Sequence, residues 1–175
     1  MHFDVTYFSI FKACGMVVSL VIGRELDAEI RKKGLLLNIV MLGSALVDMY
    51  SKCGLLEKAQ EVFDNLPTRT VMSWNTLIAR YAKHDLGEKA LDCFEQMKLE
   101  GVIPDAITFT CSLKACGSIQ DLSKGIEIYG EIMRNGLLKS DPVLGSALVD
   151  MYAKVGLLQK SLEIFDQLPS RTVGS

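Results

Sequence analysis

The chain has 175 residues, 49% of them apolar and 23% charged, the balance of a folded chain rather than a disordered one. Lys and Arg number 19 against 21 Asp and Glu, a net charge of −2, which excludes a basic binder held to nucleic acid mainly by bulk charge. The longest uncharged stretches, residues 13–23 and 34–47, fall short of the ~18 apolar residues of a membrane span, so no membrane crossing is expected.

The cysteines, Cys14, Cys53, Cys93, Cys111 and Cys116, form an odd set without a Cys-x-x-Cys spacing. A reducing compartment suits them better than a disulfide framework. Met1-His2-Phe3-Asp4 opens without an Arg/Ser-rich amphipathic stretch or an apolar segment with a cleavage site. Either no address label exists or the chain is an excerpt.

The chain repeats itself. Leu42-Gly43-Ser44-Ala45-Leu46-Val47-Asp48-Met49-Tyr50 recurs unchanged 102 residues later, at 144–152. At that offset residues 40–70 match 142–172 at 21 of 31 positions, and residues 4–39 match 106–141 at 13 of 36. Between the copies lies a unit of another length, 71–105. The expected organisation is five units in a three-unit supercycle: 4–39, 40–70, 71–105, 106–141 and 142–172.

Taken in chain order, the first unit shares Lys12-Ala13-Cys14-Gly15 with Lys114-Ala115-Cys116-Gly117 of the fourth. In the second unit, helices are expected around Ala45 to Tyr50 and Ala59 to Leu66. In the third, Trp74, Leu77, Ile78, Tyr81 and Ala82 recur at i, i+3, i+4, i+7 and i+8, a helical stripe. Asp85-Leu86-Gly87 breaks it, and a second stripe runs through Ala90, Leu91, Phe94 and Met97 until Gly101 to Pro104 stops it. The fifth unit repeats the plan with Leu148 to Tyr152 and Leu162 to Leu168. Gly54, Gly87, Gly117 and Gly156 are expected at the turns within units, where glycine tolerates a left-handed backbone. No segment sustains period-two alternation. Hairpins of about 30 to 36 residues cannot bury both faces alone, so neighbours must stack. The expected fold is all-α, a right-handed α-solenoid of stacked helix-turn-helix repeats.

Trp74, Leu77 and Tyr81 fit the tetratricopeptide opening, but Ile78 stands where that pattern needs glycine. Val71-Met72-Ser73-Trp74-Asn75-Thr76-Leu77-Ile78, closing with Gly101-Val102-Ile103-Pro104-Asp105, instead resembles the 35-residue class of the pentatricopeptide repeat family. Thr108-Phe109 with Leu113-Lys114-Ala115-Cys116 resembles its long class. Gly145-Ser146-Ala147-Leu148-Val149-Asp150-Met151-Tyr152-Ala153-Lys154, with Phe165-Asp166-Gln167-Leu168-Pro169, resembles its short class. The three classes alternate as in the plant-type form, and the resemblance covers residues 4–172.

The resemblance implies binding of single-stranded RNA, one base per repeat, in a mitochondrion or chloroplast, for editing, splicing or stabilisation. Protein partners within an RNA-processing complex are a second implied class. The fifth and last residues of a repeat would read the base edge. Asn75 with Asp105 is associated with uracil and Thr110 with Asp141 with guanine. Ser44 with Thr70 and Ser146 with Thr172 close on Thr where the family usually has Asp or Asn. Phe8 and Ile39 offer a base no hydrogen bond. The apolar second residues Val5, Met41, Met72, Ile107 and Val143 would wedge between bases, or else serve packing. Lys52, Lys83 and Lys154 recur near the ends of first helices. They would track phosphates, or else complement the helix dipole at a solvated end.

Other candidates read as structural. Cys14 and Cys116 are expected as small core residues, Tyr50, Tyr81 and Tyr152 as core, and Trp74 as core with its N–H near a surface. His2 and His84 lack a neighbouring ligand set, so no metal and no cofactor are expected. The His-x-Glu and Cys-x-x-Cys of a zinc deaminase are absent, and no other catalytic constellation replaces them; the chain is not expected to be an enzyme. The competing class is a tetratricopeptide-like protein-binding scaffold, separated from the RNA reading by whether the lysines share a face with Asn75 and Thr110.

Overall fold

The computed structural model describes residues 9, 10, 13, 20–34, 40–139 and 141–168. Among them are nine α-helices and no strand. They are α1 Leu20–Lys32, α2 Val40–Lys52, α3 Leu56–Asp64, α4 Val71–Lys83, α5 Gly87–Leu99, α6 Ala106–Ile119, α7 Leu122–Arg134, α8 Pro142–Lys154 and α9 Leu158–Gln167. A 3₁₀ turn, Leu137–Lys139, precedes α8. The chain divides into two compact units, residues 1–80 and 81–175.

In the first unit the stripe of α2 (Leu42, Leu46, Val47, Met49, Tyr50) is buried, as are Ala59, Val62 and Phe63 of α3. The Phe63 ring meets Trp74 of α4 edge to face, 4.5 Å between centroids, and the Arg69 guanidinium lies 5.0 Å from the Phe63 centroid. Arg69 also donates to the Asp64 carbonyl at 3.1 Å, closing the loop between α3 and α4. Trp74 is core as its stripe predicts. Its Nε1, however, is buried and has no hydrogen-bond partner among the described residues, not near a surface as expected. Seating the ring against Phe63 carries the whole indole inside.

The second unit is built alike. Phe94 of α5 meets Phe109 of α6 at 6.0 Å, and Ile128 and Ile132 of α7 are buried, as are Leu144, Leu148, Met151 and Tyr152 of α8. Lys124 of α7 bridges Glu95 of α5 at 2.7 Å and Glu127 at 2.8 Å, while Lys98 pairs with Glu131. Cys116 is buried, and burial pushes its thiol up to about 12, as befits a core residue and not a reactive one.

The turn glycines divide into two kinds. Gly54 (φ 77) and Gly156 (φ 84) take the left-handed positions as expected. Gly87 and Gly117 do not: Gly87 opens α5 and Gly117 lies inside α6, and the left-handed residues there are Asp85 and Gln120, both at φ 58. Glycine serves a different need at these two places. A Cβ on Gly87 would stand 2.9 Å from the Ala115 carbonyl oxygen, and one on Gly117 3.1 Å from Lys154 Cδ. Close helix approach, not chain reversal, requires Gly87 and is eased by Gly117.

Candidate nucleic-acid interface

The described helices α2, α4, α6 and α8 begin at residues 40, 71, 106 and 142, so positions are numbered from those residues. The second and fifth residues are therefore one turn apart on one helical face. The second residues are large, apolar and exposed: Met72 47%, Ile107 59% and Val143 60%. Packing within the described chain leaves about half of each side chain open to solvent. The fifth residues Ser44, Asn75 and Thr110 are buried, while Ser146 is exposed and donates to the Pro142 carbonyl at 3.2 Å. Val5, Phe8, Cys14, Ile39, Thr172 and the side chain of Met41 lie outside the described residues.

The closing residues have a role that the base-reading assignment missed. Asp105 caps α6: its Oδ1 accepts from the Thr108 N–H at 2.9 Å, and Thr108 Oγ1 accepts from the Asp105 N–H at 3.1 Å. Asp141 caps α8 through the Val143 N–H at 2.8 Å, with Pro142 at the first helical position. Thr70 and Ser73 cap α4 reciprocally, the Thr70 N–H donating to Ser73 Oγ at 2.9 Å and the Ser73 N–H to Thr70 Oγ1 at 3.3 Å. The signal was present in the sequence, since Thr70-x-x-Ser73 and Asp105-x-x-Thr108 have capping-box spacing and Asp141-Pro142 is a helix-start pair. A cap bond occupies one acceptor site of a carboxylate that has about four, and it fixes the side chain where the next repeat begins.

At about 100° per residue, positions 2, 9 and 13 of a first helix fall within roughly 20° of one line, with position 5 some 60° away. Lys83 thus shares a face of α4 with Met72 and Asn75, and Lys154 shares one of α8 with Val143 and Ser146. Lys52 stands on α2 at the thirteenth position, as Lys83 does on α4, eight residues beyond Ser44. Two of these lysines are engaged one turn back. Lys52 Nζ lies 2.5 Å from Asp48, which also holds Arg80 at 3.4 Å, and Lys154 Nζ lies 2.8 Å from Asp150. Lys83 is exposed. No group of three or more His, Cys, Asp or Glu among the described residues is placed to hold a metal, and no described helix is long and apolar enough to cross a membrane.

Models of the PPR repeat match residues 44–70 and 146–173, and a model of the PPR repeat family matches 69–118. The chain belongs to the pentatricopeptide repeat family. An Arabidopsis thaliana pentatricopeptide repeat-containing protein is 38% identical over 97% of this chain and 24% of its own length. A second, described as chloroplastic, is 38% identical over 98% of the chain and 28% of its length, and a third, described as mitochondrial, is 39% identical over 93% and 16%. The chain spans about a quarter or less of the length of these relatives. Among solved structures, maize pentatricopeptide repeat protein PPR10 superposes with a TM-score of 0.72 at 21% identity, over 94% of this chain and 24% of that one. PPR10 in complex with an 18-nt psaJ RNA element gives 0.65 at 23% identity, over 83% and 22%. The fold is accordingly the all-α solenoid of stacked PPR helix-turn-helix repeats.

Proposed function

We propose that the chain is a plant-type PPR array with alternating long, short and 35-residue repeats, which binds single-stranded RNA through the first-helix face. The supporting observation is the recurrence, on α4, α6 and α8, of an exposed apolar side chain one turn before a polar one, with the closing residues Asp105 and Asp141 capping the starts of α6 and α8. An exposed Met, Ile or Val in register costs solubility in a protein that nothing contacts, and it offers an unstacked base an apolar surface. In this reading Met41, Met72, Ile107 and Val143 wedge between bases. Asn75 with Asp105 selects uracil and Thr110 with Asp141 guanine, while Ser44 with Thr70 and Ser146 with Thr172 contribute less. The repeat boundaries are those of the five units. The setting is organelle RNA processing, in keeping with relatives described as chloroplastic or mitochondrial. The chain acts by binding and recruits any catalyst from elsewhere.

The test is Asn75→Thr, which recreates the pairing of Thr110 with Asp141. RNAs differing only at the base opposite this repeat should switch in preference from uracil to guanine, by at most about 1–3 kcal/mol. Equal binding of both RNAs by the unmodified chain, or loss without a switch in the variant, favours the protein-binding scaffold.

A further inference from the structure

Position 9 of the first helices carries a charge pattern that the lysines of position 13 do not reveal on their own. It is Asp48 on α2, Ala79 on α4, Lys114 on α6 and Asp150 on α8. Position 13, one turn later, is Lys52, Lys83, Ser118 and Lys154 in the same order. On α2 and α8 the two positions form an Asp–Lys pair, at 2.5 Å and 2.8 Å. The helices α4 and α6 contain no Asp or Glu anywhere in VMSWNTLIARYAK and AITFTCSLKACGSI. Each has one exposed lysine on the stripe that bears the exposed apolar second residue: Lys83 in line with Met72, and Lys114 seven residues beyond Ile107. The stem of Lys154, by contrast, lies against Gly117 of α6, which holds its ammonium toward Asp150.

We infer that phosphate contact is carried unequally along the array: Lys83 and Lys114 each take a phosphodiester, and Lys52 and Lys154 contribute little because an acid one turn back already balances them. The inference rests on the RNA-binding reading and replaces its even row of three lysines with two cations on the 35-residue and long repeats. A lysine paired to a carboxylate has to give up that partner before it neutralises a phosphate, and the carboxylate left behind repels the strand. An unbalanced lysine releases counterions outright. Lys114 follows from this placement and not from the position-13 recurrence. Asp48 holds Arg80 as well, so the cleaner contrast lies within the second unit, between Lys83 or Lys114 and the Lys154–Asp150 pair.

The experiment measures binding of a randomised single-stranded RNA of about 20 nucleotides by the full chain across salt concentrations. Lys83→Gln and Lys114→Gln should each flatten the dependence of log K on log salt by about 0.7, a loss of about two- to threefold in the salt dependence between 50 and 200 mM. Lys154→Gln should leave the slope unchanged, and Asp150→Asn should steepen it by a similar amount. Equal losses at 83, 114 and 154, or an inert Asp150→Asn, overturn the uneven distribution while leaving RNA binding intact. An unmodified chain that binds no RNA at low salt overturns the RNA-binding reading itself, and this inference with it. The substitutions sit at exposed helix positions, and unchanged helical content by circular dichroism confirms that each reports on binding.

Discussion

Residues 40–70 and 142–172 are nearly the same sequence, and the two copies share their tightest contacts while differing in what surrounds them. A Cβ on Gly43 would lie 2.2 Å from Leu66 Cδ2, and one on Gly145 lies 2.2 Å from Leu168 Cδ2. The preceding helices repeat this agreement, with Gly23 against Met49 Sδ at 2.7 Å and Gly125 against Met151 Sδ at 2.8 Å. Then the copies part. Phe63 is buried beneath Trp74 and Arg69, whereas its counterpart Phe165 is 62% exposed among the described residues, which do not include Arg171, the counterpart of Arg69. Tyr50 donates to the buried Asp27 carboxylate at 2.7 Å, whereas Tyr152 meets Tyr129 ring to ring at 6.4 Å, because Tyr129 stands where the earlier copy has Asp27. Contacts of a small residue with a long flexible one are written into both copies. The polar or aromatic filling depends on what the adjoining repeat supplies.

The largest expected effect tests the first of these differences. Phe63→Ala should cost about 3–5 kcal/mol, since it opens a cavity under Trp74 and takes away the ring beneath Arg69. Phe165→Ala at the matched position should stay within about 0.5 kcal/mol, as for a surface change. Denaturant midpoints of the two variants measure the contrast directly. Comparable losses would mean that the Phe165 face is covered in solution.

A smaller effect tests the second. Asp27→Ala strands the buried Tyr50 hydroxyl and leaves Arg31, now 2.7 Å from that carboxylate, without it; the expected cost is about 1–3 kcal/mol. Tyr50→Phe in the same background should add little, because both partners are then apolar at the contact, so a double-mutant cycle should show clear coupling. Tyr129→Phe and Tyr152→Phe combined should be close to additive, since their contact is between rings.

Much of this architecture could be read from spacing. Apolar residues at i, i+3 and i+4 mark each helix, and Tyr50, Tyr81 and Tyr152 are buried where the stripes place them. What spacing did not disclose depends on partners distant in the chain. Gly87 and Gly117 look like turn residues until Ala115 and Lys154 are brought against them, and Gln120 carries no local mark of a left-handed backbone. At the interface the helical register predicts which side chains share a face with Asn75, and that register also exposes Met72, Ile107 and Val143. The burial of Asn75 and Thr110 is set by neighbouring helices, which a single repeat cannot show. The pairing of Lys52 and Lys154 was legible as Asp–x–x–x–Lys, yet it shows only when position 9 is compared across repeats.

At neutral pH, where the other two are measured, the smallest effect is silent, and it concerns the same two tyrosines. Burial, then the hydrogen bond to Asp27 and its negative charge, raise the Tyr50 phenol well above the ordinary tyrosine value; burial is the first cause for Tyr152, with no carboxylate bond behind it. A phenol whose folded value lies above its unfolded one stabilises the fold fully below the unfolded value, near 10. That contribution is lost as pH rises from there toward the folded value, because only the unfolded chain then gains by releasing the proton. Stability should therefore fall above about pH 10, by up to about 1.4 kcal/mol per pH unit for each such tyrosine. Asp27→Asn keeps an oxygen acceptor and removes the charge, so Tyr50 should titrate earlier and the alkaline loss should end at lower pH. Asn cannot replace the ion pair with Arg31, so the comparison is made on the pH profile of each variant and not on its absolute stability. Tyrosinate absorbance followed beside helical content separates titration in the folded chain from unfolding. Identical alkaline profiles with and without the Asp27 charge would show that burial alone raises Tyr50, and that at high pH the two copies behave alike despite their different filling.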